Sequence, residues 1–195
     1  MPMDGFTIGA MVFELNNILA GARVDKINQP ERDELHLLCR NNSCNYKLLL
    51  SSSAGYARLC ITEITKPNPP VPSSFCMLLR KHLTGARLVE FKQYGNERII
   101  EIRFDTLNDF NEREEKRLIL EIMGKHSNLM LLNDEKRVMA VLHPVDFSTS
   151  ALRQVLPGMT YELPPPQEKN NPLDVTSESF WAMWKAAAPE RPADK

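Results

Sequence analysis

A proline-rich stretch at residues 66–72 divides this chain into two halves of similar pattern. Its sequence, KPNPPVP, places four prolines in seven residues. Each proline fixes its φ angle and lacks an amide hydrogen, which excludes a helix or a central strand at this point. We therefore expect an extended connector, with one helix and several strands on either side of it.

The first half reads as a helix followed by a meander. Apolar residues recur at three- and four-residue spacings from Phe6 to Leu19, which predicts a helix capped by Asp4 and ended at Gly21. Four apolar runs follow at 22–29, 34–40, 46–51 and 58–62, and an Asn-rich turn joins the second to the third. These runs predict antiparallel strands.

The second half repeats this order. Ser73 or Ser74 can cap a second helix, which carries Arg80, Lys81 and His82 side by side. Gly95-Asn96 is a strong hairpin signal between two apolar runs. Strands are predicted at 87–94, 98–104, 117–123, 128–133 and 137–145, and the acidic residues 105–115 are expected to form a mobile loop.

A second proline-rich region, around residues 156–172, closes the main domain. We place that domain at 1–173 and the start of a following helical region at 174–195. The later segment contains a short helix whose residues Phe180, Trp181 and Trp184 form an apolar face. This face can meet either the domain itself or a longer parent protein. The predicted fold class is α+β, an antiparallel β-sandwich-like domain with two main helices and a short C-terminal helix.

Charge is segregated along the chain, although the formal net charge is only −1. Residues 77–103 carry six Lys or Arg against three Glu, whereas 105–115 carry five acids against Arg113. Because the net charge provides no overall attraction for a polyanion, nucleic-acid binding would need a local patch. The helical cations Arg80 and Lys81, with Arg98 beside the Gly-Asn turn, favour a phosphate-contacting surface.

The four cysteines contain no CxxC pair, which argues against a zinc site. Reduced thiols in a cytoplasmic protein are the simpler interpretation, although Cys39 and Cys44 could face each other across a hairpin. No apolar run approaches the roughly 18 residues that span a bilayer, so we expect a soluble chain without membrane contact. No metal and no cofactor is expected.

Known catalytic motifs do not occur in the sequence. Patterns such as GxGxxG, HExxH and GxSxG are absent. His126 could join Ser127 and Asp146 in a hydrolytic triad, but a chain of this size offers such triples by chance. The polar loop at 124–128 could bind phosphate or sugar through Lys125 and His126, and a plain polar turn is the alternative.

Several segments, taken in order, identify a family resemblance. They are MDG at 3–5, EL at 14–15, GAR at 21–23, LLLS at 48–51, YAR at 56–58, PSSF at 72–75, MLLRKHL at 77–83, GNERII at 95–100 and EIMGKHSN at 121–128. Together they closely resemble the N-terminal (NFACT-N) domain of the RqcH family, whose members are also called fibronectin-binding protein A. The resemblance runs from residue 1 to about 173. Family members are usually much longer.

The resemblance implies ribosome-associated quality control. Such a protein would bind a large ribosomal subunit obstructed by peptidyl-tRNA, recruit alanyl-tRNA and help extend the stalled chain with alanine without mRNA. The family's functional Asp and its Asp-Arg pair fall on Asp4, Glu97 and Arg98. Glu97 replaces the usual Asp, and Lys125 replaces a common Arg, exchanging a bidentate fork for a point charge. The predicted tRNA- and ribosome-binding residues are Asp4, Glu97, Arg98, Arg80, Lys81, Lys125 and His126, none of them catalytic.

Two alternatives remain. The fold is also similar to the N-terminal domain of formamidopyrimidine-type DNA glycosylases, which attack with an N-terminal proline amine followed by Glu. This chain has Pro2, but Met3 stands where that Glu belongs. The second alternative is adhesion to fibronectin, which the family's other name suggests. Asp4 and Glu97 could also form an acid/base pair. The alternative is that Asp4 only caps its helix and that Glu97 lies at a solvated hairpin turn.

Overall fold

A computed structural model describes residues 3–108, 110–165 and 174–186 of the chain. The described helices are α1 (Gly5–Leu19), α2 (Ser74–Leu83) and α3 (Ser177–Ala186). The strands are β1 (Arg23–Glu31), β2 (Glu34–Asn41), β3 (Cys44–Ser51), β4 (Arg58–Ile61), β5 (Arg87–Gln93), β6 (Ile99–Leu107), β7 (Arg113–Glu121), β8 (Asn128–Leu132) and β9 (Val138–Val141). The chain divides into two compact units, 1–163 and 164–195.

The strands of the described residues form one antiparallel sheet of nine, in the order β4-β3-β2-β1-β5-β6-β7-β8-β9. This confirms the α+β class but corrects the expected sandwich, because the two meanders are joined edge to edge. The junction between β1 and β5 is short, with Arg23 opposite Arg87. Gly85, at φ +84°, donates its amide to the carbonyl of Val24 at 2.7 Å beside this junction. A left-handed backbone of this kind favours glycine.

Each of the two main helices packs on the strands of the other meander. Helix α1 lies against β5, where the Asn16 side chain donates to Phe91 O and accepts from Phe91 N, both at 2.8 Å. Helix α2 lies against β1 through buried Leu79 and Leu83. Both meanders therefore share one apolar core, and each fully buried leucine contributes roughly 1.5–3 kcal/mol to it.

The acidic segment at 105–115 is mostly strand, so the mobile-loop prediction was wrong there. Strand β6 continues to Leu107, and β7 begins at Arg113. Glu115 of this segment pairs across the strands with Arg103 at 2.5 Å, and Arg103 also contacts Glu90 of β5 at 2.6 Å. Acidic and basic side chains of β6 and β7 thus form ion pairs between the strands.

A smaller core covers the other face of β6 to β9. Ile99, Ile119 and Met130 pack there with Tyr161, which belongs to the segment after β9. The buried carboxylate of Glu121 accepts from Arg153 at 2.7 Å and from the Tyr161 hydroxyl at 2.9 Å. Burial raises the pKa of Tyr161. This polar group inside an apolar cluster fixes residues 153–161 against the sheet.

The cysteines are all free thiols. Cys39 is buried and lies opposite Tyr46, whereas Cys44 is exposed and lies opposite Asn41. Burial raises the pKa of Cys39 to about 12, which keeps this thiol protonated. The possible pairing of Cys39 with Cys44 across the hairpin was therefore wrong. The helices of the described part are too short or too polar to cross a membrane.

The second unit contains α3. Phe180, Trp181 and Trp184 are exposed and form a small aromatic cluster, with the ring centre of Phe180 5.5 Å from that of Trp181. The apolar face predicted from the sequence is therefore present on this helix.

Candidate nucleic-acid interface

The turn between β5 and β6 displays the acid and the arginine singled out in the sequence. Gly95 has φ +55°, and the amide of Glu97 donates to the carbonyl of Tyr94 at 2.9 Å. The Glu97 side chain is exposed, and Arg98 is half-buried at the first step into β6. The turn therefore holds both side chains on a short, hydrogen-bonded backbone.

Asp4 caps α1, as the sequence predicts. Its carboxylate accepts a hydrogen bond from the amide of Thr7 at 2.7 Å. This bond lowers the pKa of Asp4 and keeps it charged at neutral pH. A carboxylate at a helix N-terminus also complements the helix dipole.

The N-terminus of α1 lies directly against the β5–β6 turn. A Cβ added at Gly5 would lie 2.3 Å from the carbonyl oxygen of Asn96. Gln93 bridges the two elements, because its side-chain amide donates to the carbonyls of Gly5, at 2.8 Å, and Glu97, at 2.9 Å. Asp4 therefore both caps its helix and lies beside the Glu97-Arg98 turn.

The polar loop predicted at 124–128 lies at the same end of the sheet. It forms a short 3-10 turn over Gly124–His126, with Lys125 and His126 exposed. The amide of Ile122, just before this turn, donates to the carbonyl of Arg98 at 2.8 Å. The loop is thereby attached to the turn that carries Arg98.

We call this set the turn-end surface: Asp4, Glu97, Arg98, Lys125 and His126. It combines two carboxylates with a guanidinium, an ammonium and an imidazole. Because acceptors and donors are mixed, this surface suits directed hydrogen bonds to a polar, negatively charged ligand better than it suits a uniform electrostatic attraction. Three separate segments contribute to it, and backbone contacts hold them together.

Arg80 and Lys81 lie elsewhere. The Arg80 guanidinium is half-buried and donates to the carbonyl of Ile27 at 2.8 Å, so it attaches α2 to β1. Lys81 lines a depression together with Arg87, at the other end of β5 from the turn. Seven strand residues separate these ends by about 20 Å. The single phosphate-contacting surface expected from the sequence is therefore divided. Arg98 lies at the β5–β6 turn, whereas Arg80 and Lys81 lie away from it.

The hydrolytic triple considered from the sequence is not assembled. The Ser127 hydroxyl accepts from the amide of Met123 at 2.8 Å. The carboxylate of Asp146 accepts from Ser148 and Thr149 in its own turn, which lowers its pKa to about 2. In the described ranges, no group of three or more His, Cys, Asp or Glu side chains could hold a metal ion.

Sequence reasoning missed the residues that hold the surface together. Gln93 and Asn96 make long-range contacts with Gly5, and no local pattern in the sequence predicts these contacts. A glycine at the first helical position was the one available signal, because it permits close approach of another backbone.

The profile of the family described as NFACT N-terminal and middle domains matches residues 4–194. The Rqc2 homologue RqcH of Streptococcus pneumoniae is 39% identical over 94% of this chain and 33% of its own length. RqcH of Bacillus subtilis is 37% identical over 92% of this chain and 32% of its own. A more distant relative, ribosome quality control complex subunit 2 of Saccharomyces cerevisiae, is 32% identical over 66% of this chain and 12% of its own.

Solved structures share the fold. The N-terminal domain of the fibronectin-binding protein PavA from Streptococcus pneumoniae has a TM-score of 0.85 at 38% identity, covering 93% of this chain and 68% of that one. The N-terminal part of a fibronectin/fibrinogen-binding protein from Streptococcus suis has a TM-score of 0.86 at 38% identity, with the same coverage. The chain spans about a third of the length of the RqcH relatives. It therefore belongs to the family of NFACT N-terminal and middle domains.

Proposed function

We propose that this chain is the part of a cytoplasmic RqcH-like factor that binds tRNA and an obstructed large ribosomal subunit. In this role it supports mRNA-independent alanine tailing of stalled chains. The observation that supports it most is the meeting of Asp4, the Glu97-Arg98 turn and the Lys125-His126 loop at one end of the sheet. Residues 1–173 would form the binding domain, and 174–195 would begin the next region.

Arg98 would make the directed contact to tRNA. A guanidinium offers two parallel donors, and a bidentate contact to guanine is worth about 1–3 kcal/mol of discrimination. Glu97 is exposed beside it and would orient the guanidinium or accept from a base amine. Because both belong to a hydrogen-bonded turn, little ordering cost would accompany binding.

Lys125 and His126 would hold the adjacent backbone of the RNA. Both are exposed on the 3-10 turn, and lysine contributes a salt-dependent phosphate contact without sequence preference. Asp4 would act through position: it fixes the first turn of α1, which supports the turn that carries Arg98.

This role is recognition and not catalysis. The new peptide bond would form in the peptidyl-transferase centre of the ribosome, with alanyl-tRNA and peptidyl-tRNA as substrates there. The domain would present and hold the tRNA, which requires positioned donors and no nucleophile of its own.

The test measures binding of a transcribed alanine tRNA to the chain and to its Arg98→Ala and Glu97→Ala variants at several salt concentrations. The matched control is Arg137→Ala, an exposed arginine on the β8–β9 turn. We expect Arg98→Ala to weaken binding by about 5- to 150-fold, the equivalent of 1–3 kcal/mol. Binding that is insensitive to both salt and Arg98 would contradict the proposal.

Fibronectin binding is the second candidate, because two similar solved structures carry that name. The same variants are assayed for fibronectin binding in parallel. Fibronectin binding without tRNA binding would replace the proposal by an adhesion role.

A glycosylase activity has less support. The matched relatives are ribosome quality control factors, and Pro2 lies outside the described residues. An abasic-site cleavage assay with the Pro2→Gly variant tests it: cleavage that depends on Pro2 would establish the enzyme.

A further inference from the structure

Three arginines lie side by side on three neighbouring strands. Arg23 of β1 is directly opposite Arg40 of β2 on one side and Arg87 of β5 on the other. Directly opposite residues of antiparallel strands point to the same face of the sheet. The three side chains therefore form one row across the junction of the two meanders, which we call the arginine row.

The row points into solvent. Its members are exposed, whereas the neighbouring residues Val24 and Leu88 point the other way and are fully buried. The alternation of side chains along a strand fixes this arrangement, so the guanidinium groups cannot retreat into the core.

Like charges directly opposite each other destabilise a sheet. Asp25 offsets part of this repulsion, at 3.8 Å from Arg23 and 3.4 Å from Arg40. All three of these side chains are more than a third exposed, and exposed pairs of this kind stabilise little. Arg87 lies opposite Asp105 on its other side. The row therefore keeps an excess of positive charge.

A depression beside the row adds further cations. It has a volume of about 380 Å³, and Lys81, Arg87 and Arg113 line it together with one acid, Asp105. A Cβ at Gly85, which also lines it, would lie 3.8 Å from the Arg23 guanidinium. Arg23 thus borders the same space, and one surface carries five cationic side chains against two carboxylates, Asp25 and Asp105.

We propose that the arginine row binds the phosphate backbone of RNA. The backbones of neighbouring strands lie about 4.8 Å apart, so the three arginines start from adjacent positions, and each guanidinium can bind phosphate oxygens with two parallel hydrogen bonds. A stable protein interface would need an apolar centre, and among the described residues Leu107 is the one large apolar side chain that lines the depression. An acidic protein therefore fits the surface less well than a polyphosphate.

This surface is separate from the turn-end surface. Arg87 and the Gly-Asn turn lie at opposite ends of β5, about 20 Å apart. The inference does not depend on which RNA the turn-end surface selects, since phosphate contacts carry no sequence information.

The experiment uses a fluorescent single-stranded oligouridylate as the probe. The chain is compared with the triple variant Arg23→Gln, Arg40→Gln, Arg87→Gln, and Arg137→Gln is the control. Loss of three phosphate contacts should lower the slope of log affinity against log salt by about 2, with no change in the control. Thermal unfolding should occur at the same or a higher temperature in the triple variant, because like charges are removed.

An unchanged slope in a folded triple variant would overturn the inference, as would failure of the unsubstituted chain to bind the probe. Equal binding of polyglutamate, lost in the same variant, would overturn it in favour of an acidic protein. Both surfaces are then compared with the alanine tRNA. A loss with Arg98→Ala but not with the triple variant defeats this inference alone, and the reverse result defeats the proposed role of Arg98 alone.

Discussion

Gly5 and Asn96 are in backbone contact: a Cβ on Gly5 would lie 2.3 Å from the Asn96 carbonyl oxygen, a distance that real contacts do not reach. This approach places the first turn of α1 against the turn that carries Glu97 and Arg98. The packing of these two backbones therefore sets the position of Asp4 relative to Arg98.

Replacing Gly5 with alanine should separate these two elements. We expect Gly5→Ala to lower the free energy of unfolding by about 1–3 kcal/mol, as overpacking does, and to weaken tRNA binding. Urea unfolding and a binding titration measure the two effects. Gly55→Ala is the control, since nothing lies within 4 Å of a Cβ there. If Gly5→Ala changes neither the free energy of unfolding nor tRNA binding, the contact between Gly5 and Asn96 relaxes readily and does not position the turn.

Asp4 has a capping role and a proposed functional one, and two substitutions distinguish them. Asparagine caps a helix about as well as aspartate, whereas alanine does not. We expect Asp4→Ala to lower the melting temperature and tRNA affinity, and Asp4→Asn to preserve most of both. If Asp4→Asn abolishes tRNA binding at unchanged stability, the charge itself contacts the ligand.

The cap also predicts a pH dependence. The hydrogen bond from Thr7 lowers the pKa of Asp4 below 3.8, so its stabilisation is present above that pH and is lost as the pH falls through the lower folded-state value. The difference in melting temperature between the unsubstituted chain and Asp4→Asn should therefore change at acidic pH and stay constant near neutrality. A difference that first changes between pH 6 and 8 would contradict this assignment.

Arg153 compensates the buried carboxylate of Glu121. Arg153→Ala leaves that charge without its ion-pair partner, and we expect a loss of about 3–5 kcal/mol in the free energy of unfolding. Denaturant unfolding measures it. Arg137→Ala, which breaks an exposed pair with Glu135, should change stability by less than about 0.5 kcal/mol. Equal effects would mean that the Glu121 network contributes little.

The arginine row should lower the free energy of unfolding, because its like charges repel one another. Arg87→Thr removes the repulsion between Arg87 and Arg23 together with the attraction between Arg87 and Asp105, and it introduces a residue that favours strands. We expect a gain of about 0.2–1 kcal/mol in the free energy of unfolding, together with weaker RNA binding. A loss of stability would show that Arg87 has a structural role.

Much of the fold was predictable because its signals are local. The helix caps at Asp4 and Ser73, the Gly95-Asn96 turn and the proline-rich connector each act within a few residues. The loop prediction for the acidic segment was wrong because Arg103, on the neighbouring strand, pairs with Glu115. The sandwich prediction failed because the edge pairing of Arg23 with Arg87 joins residues that are far apart in sequence.

The candidate site was predictable as a set of residues but not as an arrangement. Arg80 and Arg98 lie in one charged stretch of sequence, yet Arg80 attaches α2 to β1 while Arg98 lies at the far end of β5. The arginine row is the opposite case, because its residues are far apart in sequence and close together in the fold. Its members come from three separate segments, and only the strand register brings them together.

The most direct test places a photo-cross-linker on the proposed interface. p-Benzoylphenylalanine is introduced singly at Glu97, at Lys125 and, as a control, at Tyr56, which is 73% exposed on the loop before β4. Each protein is irradiated with alanine tRNA, and the cross-linked RNA is quantified. Our account predicts cross-links from positions 97 and 125 well above those from 56. Cross-links from position 56 alone, or equal yields at all three, would contradict it.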